Sequence, residues 1–190
     1  MKKILINSFT SLILFTIITG VIYPLLITGV SKLFFSYQAE GSLIKVNDKV
    51  IGSELIGQKF DTAIYFWSRP SAVDNNPMPS GATNWGPTSD TLKKTVEERR
   101  KNYASQNNLS PDVYIPDDAV FASGSGVDPD ISVENAKLQI DRVAKARNFD
   151  ENKKKLLEEL INKLIDKPQF GILGDKRINV LELNIELDKI

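Results

Sequence analysis

The sequence predicts an α+β protein: one N-terminal transmembrane helix followed by a small mixed α/β domain outside the cytoplasm. Three observations predict it. Residues 4–31 contain no charged side chain. Beyond Gln38 short β-branched runs alternate with amphipathic helical stretches. Residues 70–89, PSAVDNNPMPSGATNWGPTS, break that texture with a long segment that has no hydrophobic period.

The first element is the span. Its 28 uncharged residues would form a helix of roughly 42 Å, against a hydrocarbon core of about 30 Å. The apolar run is longer than a signal peptide needs, and SKLFFSYQAEGS offers no small-x-small cleavage site. Lys2 and Lys3 stand before the span, only Lys32 stands at its far end, and no acid precedes Glu40. The positive-inside tendency therefore puts the N-terminus in the cytoplasm. The expected division is a transmembrane anchor at 1–35 and an extracytoplasmic domain at 36–190.

Within TGVIYPLLITG, Pro24 cannot donate to the carbonyl of Gly20. An orphan carbonyl is costly in lipid unless another group answers it. Thr16, Gly20, Pro24 and Thr28 recur every four residues, a stripe of small and hydroxyl side chains suited to packing against a partner's membrane helices.

In the domain, Asn47-Asp48 between two β-branched runs predicts a hairpin over 43–52. A strand is expected near 63–67. The loop at 70–89 is expected to pack on something, because Trp67, Met78 and Trp85 are costly to leave in water. Helices are predicted over 91–103, over 133–147 with Ser132 as N-cap, and over 151–166, which stops before Pro168. The tail NVLELNIELDK alternates Leu181, Leu183, Ile185 and Leu187 with polar residues, which favours a strand; Val180, Leu183 and Leu187 would also line a short helix.

Composition limits the chemistry. The 190 residues include no cysteine and no histidine, so a Ser-His-Asp triad, a thiol nucleophile and the usual zinc sites are unavailable. Lysine plus arginine and aspartate plus glutamate both number 24, and no nucleic-acid partner is expected. SGSGVDPDIS, residues 123–132, lacks the Gly-Lys-Ser/Thr of a phosphate loop and reads as a glycine-supplied turn feeding a helix start. The acids Asp112, Asp117, Asp118, Asp128 and Asp130 form either a solvated loop or a field that gathers cations. QIDRVAKAR, residues 139–147, resembles the second half of the ABC-transporter signature, Q-x-x-R-V-A-x-A-R. The Ser-Gly-Gly that meets phosphate in those ATPases is replaced here by Ala136, Lys137 and Leu138.

Taken together, TGVIYPLLITG, AEGSLI, IGSELIGQKF, YFWSRPSA, SGATNWGPTS, SGSGVDPDIS, the QIDRVAKAR helix and NVLELN resemble the KdpC family, the small subunits of the bacterial Kdp potassium-transporting P-type ATPase. The pieces run in family order over nearly the whole chain. The resemblance implies a single-span inner-membrane subunit of an ATP-driven, high-affinity potassium importer. Its implied partners are a pore-forming potassium-binding subunit, a P-type ATP-hydrolysing subunit and membrane lipid. The resemblance also implies a role in assembly and a catalytic-chaperone role that raises the pump subunit's affinity for ATP, with Gln139 as the proposed nucleotide contact. That contact conflicts with the lysine-based topology, which places Gln139 away from cytosolic ATP; the charge argument and the missing phosphate cradle weigh against it. Two other classes stand beside the accessory-subunit reading: a direct ATP-binding regulator on the cytoplasmic side, and a membrane-anchored extracytoplasmic enzyme using Asp, Tyr and Lys.

Overall fold

A computed structural model describes residues 1–190. The chain divides into two compact units, Met1–Ile51 and Gly52–Ile190.

The first unit is dominated by α1 (Lys2–Ile17) and α2 (Tyr23–Phe34), joined by a π-helical turn at Ile18–Ile22. The whole stretch Lys2–Phe34 is long and apolar enough to cross a membrane. The π turn answers the proline. The Tyr23 N–H donates to the Ile18 carbonyl, five residues back, and α2 effectively begins anew there, with Pro24 in its first turn where a missing N–H is tolerated. A short helix α3 (Ser36–Ala39) follows. The predicted hairpin is present as β1 (Leu43–Val46) and β2 (Lys49–Ser53). Asn47 and Asp48 at its tip have φ of 50° and 61°, the pair of positive values that a two-residue hairpin turn requires.

The second unit carries α4 (Asp90–Gln106), β3 (Asp130–Ser132), α5 (Val133–Leu138), α6 (Ile140–Ala146), α7 (Glu151–Lys163), β4 (Arg177–Asn179) and α8 (Val180–Leu187). β3 and β4 pair antiparallel, with Ile131 opposite Ile178. Around them Phe66, Val133, Ile140, Val143, Leu157, Ile161, Leu183 and Leu187 form the main apolar core. A smaller cluster gathers Tyr103, Ile115, Ala119 and Val120.

Four expectations need correction. The tail is a helix. Asn179 caps it by accepting from the Glu182 N–H, and Val180, Leu183, Asn184 and Leu187 are buried at helical spacing. The helix over 133–147 is broken at Gln139 into α5 and α6. The segment 63–67 is not a strand: a turn closes from the Tyr65 N–H to the Thr62 carbonyl, and no backbone ladder follows. The loop at 70–89 leaves Met78 82% exposed and Trp85 exposed as well, so neither is the packing anchor its cost in water suggested.

That loop is nevertheless tied at its start and middle to the glycine-rich turn at 123–127, which also holds Gly57. The Ser123 N–H donates to the Pro70 carbonyl at 3.0 Å, the Gly81 N–H to the Ser125 carbonyl at 2.8 Å, and the Gly57 N–H to the Val127 carbonyl at 2.7 Å. The approach is too close for a side chain. A Cβ on Gly57 would lie 2.5 Å from the Asp128 carbonyl oxygen, and one on Gly126, where φ is +74°, would lie 2.5 Å from that of Gly81.

Candidate functional site

The signature-like segment on α6 is the natural place to look for chemistry, and the structure gives its residues a definite job. Gln139 is fully buried. Its Oε1 accepts from the Trp67 N–H at 2.7 Å and from Arg142 Nη2 at 2.7 Å. Its Nε2 donates to the Trp67 carbonyl at 3.2 Å and to Asn135 Oδ1 at 2.9 Å. Two donors and two acceptor positions exhaust a primary amide. Gln139 therefore exchanges both bonds with one residue's peptide groups, as the facing residue of a partner strand does.

Asn184 on α8 does the same to the neighbouring residue. Its Oδ1 accepts from the Phe66 N–H at 2.8 Å and its Nδ2 donates to the Phe66 carbonyl at 3.0 Å. The rest of the signature finishes the clamp. Arg142 Nη1 donates to the carbonyls of Ala63 at 2.6 Å and Tyr65 at 3.0 Å, and its Nε donates to Asn107 Oδ1 at 3.0 Å. Its guanidinium lies 3.5 Å from the centroid of the Trp67 ring. Arg147 Nε donates to the Ile64 carbonyl at 2.7 Å, and its Nη2 pairs with Asp188 at 2.6 Å. The stretch that sequence pattern marks as a strand is thus held by side-chain amides and guanidinia in place of a neighbouring backbone.

The clamp continues as a polar chain that runs from the buried Gln139 and Asn135 out to the half-buried Ser132 and Asp118. Asp118 accepts from the Ser132 N–H, the Ser132 hydroxyl and Asn135 Nδ2 at 2.8–2.9 Å. Asn135 Oδ1 accepts from the Tyr103 hydroxyl at 2.7 Å and from Gln139. One anion and one cation, Asp118 and Arg142, are joined through two neutral amides, Asn135 and Gln139. Burial pushes Arg142 down to about 10 and holds the Tyr103 hydroxyl well above its ordinary value of 10.0. Ser132 is the N-cap expected of it, accepting from the Asn135 N–H. No local pattern marks Asp118 for its place in this chain, because its partners lie 14 and 17 positions away.

The acids suspected of gathering cations are mostly committed elsewhere. Asp118 is taken by Ser132 and Asn135, Asp128 pairs with Arg69 at 2.8 Å and Asp130 pairs with Arg177 at 2.8 Å. Asp112 and Asp117 are exposed. Burial raises the Asp130 carboxyl above its usual range, with Arg177 opposing.

On the apolar helix, the four residues of the stripe behave differently. An α-helix advances about 100° per residue, so a four-residue repeat drifts roughly 120° over three steps. A π turn takes up one extra residue and removes about 100° of that drift. The turn at Ile18–Ile22 therefore brings Thr16, Gly20, Pro24 and Thr28 back toward one line. A Cβ on Gly20 would meet only Thr16 Cγ2, at 4.0 Å, so nothing in its own chain requires the glycine. The hydroxyl that serves the helix itself is that of Thr19, which donates to the Phe15 carbonyl at 2.7 Å.

Fold and site together define a chain with one apolar helix of membrane-crossing length and a domain whose signature-like residues bind its own backbone. The family model described as K+-transporting ATPase, c chain, matches residues 5–189. The chain is 46% identical over 192 residues to the potassium-transporting ATPase KdpC subunit of Mycobacterium tuberculosis strain H37Rv, covering all of both chains. It is 45% identical over 191 residues to the KdpC subunit of Photorhabdus laumondii, covering 97% of this chain and 95% of the other. The corresponding figures for the KdpC subunit of Leptospira interrogans are 43% over 177 residues, 93% and 89%. The chain belongs to the KdpC family.

Proposed function

We propose that this chain is a non-catalytic accessory subunit of the potassium-transporting ATPase complex, needed for assembly with a pore-forming potassium-binding subunit and a P-type ATP-hydrolysing subunit. Its helix docks on partner helices through Thr16, Gly20, Pro24 and Thr28. Its domain is a scaffold on the extracytoplasmic face, the side that Lys2 and Lys3 assign to it. The observation that carries the non-catalytic reading is the clamp: Gln139, Arg142 and Arg147, the residues that resemble a nucleotide signature, direct their hydrogen bonds to the backbone of residues 63–67. In this reading Gln139 is a structural residue. An effect of the subunit on ATP use travels as coupling free energy through the assembled complex.

The test begins with Gly20→Leu in the full chain, co-expressed with the large subunits. Recovery of the complex should fall while membrane insertion persists; unaltered recovery would reduce the span to a simple anchor. An ATP titration of the purified full chain should show no saturable binding, whereas a stoichiometric isotherm lost in Gln139→Ala with an unchanged melting temperature would restore the nucleotide contact. Topology is read by a reporter fused after Ile190, which should be active only outside the cytoplasm.

A further inference from the structure

Between α7 and β4 the chain makes a finger that the proposed function does not use. Asp166 bridges Arg177 at its base, and Gln169 bridges Leu173 near its tip. At the turn Phe170 has φ of 55° and Gly171 of 80°. A bulky residue is rare in that left-handed region, where glycine or asparagine fits without cost. Phe170 is also 92% exposed, and Ile172 and Leu173 beside it are exposed too. The tip thus places apolar surface in water and holds a phenylalanine in a disfavoured backbone, in a turn whose hydrogen bonds are local, to the Pro168 and Gln169 carbonyls.

What fits this finger is set by its size and its rim. Three side chains fall far short of the roughly 800 Å² per partner that a stable protein interface buries. They suffice for shallow insertion into the headgroup and acyl boundary of a bilayer, where apolar groups seat beneath a ring of basic residues. Lys167 and Lys176 flank the bridged base, one on each arm, and Lys163 lies at the end of α7. All three are exposed and outside every ion pair, while Arg177 is matched by Asp130 and Asp166. The single acid among residues 167–176 is Asp175. The charge available to a partner is therefore basic, which suits anionic lipid. The chain's own apolar helix keeps it at a membrane.

We propose that the 166–177 hairpin is a lipid-binding finger, which inserts Phe170, Ile172 and Leu173 into an anionic bilayer surface with Lys167 and Lys176 at headgroup level. The absence of native cysteine makes the test direct. Ile172→Cys carries an environment-sensitive fluorophore in the full chain, reconstituted alone into vesicles of phosphatidylglycerol and phosphatidylcholine. Ser105→Cys, on the exposed side of α4, is the control. The expected result is a blue-shifted emission at position 172, quenched by lipids brominated on the acyl chain, and solvent-like emission at 105. The shift should shrink in Lys167→Glu/Lys176→Glu and in vesicles of phosphatidylcholine alone. Phe170→Gly should weaken it while leaving the melting temperature unchanged or higher, since glycine relieves the backbone. Solvent-like emission at 172 in anionic vesicles overturns the proposal. So does a shift that arises only when the large subunits are added and that brominated lipid does not quench, because the occupant is then a protein.

Discussion

The two units of this chain use special residues in opposite ways. In the apolar helix, a Cβ on Gly20 would make only an ordinary contact with Thr16 and one on Gly29 would meet nothing, and no residue of the stretch is buried by its own chain. In the domain, Gly57 and Gly126 sit where another backbone passes within 2.5 Å of a would-be Cβ, and Gln139 and Asn184 spend their amides on peptide groups. Nothing within the chain thus accounts for the small residues of the helix, as the docking stripe proposed above requires. The small and polar residues of the domain are consumed within it. The same residue types therefore carry different functional weight: a tolerated change in the helix should be felt in assembly, and one in the domain should be felt in stability.

The sharpest way to break this contrast is at Arg142. Arg142→Ala strips a donor from the carbonyls of Ala63 and Tyr65, from Asn107 and from Gln139 at once. Its loss leaves several neutral buried acceptors short of a donor, at about 1–3 kcal/mol per group, so the domain should lose most of its denaturation midpoint in urea. Arg142→Lys should not rescue it, because an ammonium cannot span that fork. Gln139→Ala comes next. It frees the Trp67 peptide and Asn135, and unmade buried bonds cost about 1–3 kcal/mol per group. The loss should be the same with and without ATP. A variant with unchanged stability would remove the clamp from the account. Gly126→Ala is smaller, about 1–3 kcal/mol for a residue placed in a left-handed and crowded position, and is read by the same titration.

How much of this was legible depended on how far apart the interacting groups lie in the chain. The Asn47-Asp48 turn, the Ser132 cap and the uncharged span are local signals, and each is where the pattern put it. The clamp is not local. Trp67 meets Gln139 across 72 positions and Phe66 meets Asn184 across 118. A β-branched and aromatic run there can only be read as a strand, since nothing nearby reveals that its partners are side chains. The tail was ambiguous because alternate leucines suit both periods. Asn179 with Glu182 three places on was the helix-start signal that could have decided it. The signature-like run had the right residues at the right spacing, and what it could not disclose was the object they bind: the chain's own backbone, in the structure.

The smallest effect concerns Tyr103, which links the minor apolar cluster to the polar chain through Asn135. Tyr103→Phe removes one buried hydroxyl bond and leaves Asn135 Oδ1 with Gln139 as its remaining donor. The expected loss is about 1 kcal/mol near neutral pH. Burial is the largest cause of the raised Tyr103 value, with Asp118 adding to it and Arg142 opposing. The folded chain therefore keeps this proton at a pH where the unfolded chain releases it. Native protein then binds more protons than unfolded protein, and stability falls as pH climbs above about 10. The bond's contribution is fully present below that point and disappears above it. Urea midpoints of the two chains should therefore converge as pH passes through 10 and upward, the phenylalanine variant having no such proton to hold. A gap that stays constant across that range would mean that Tyr103 ionises freely and that the polar chain is open to water.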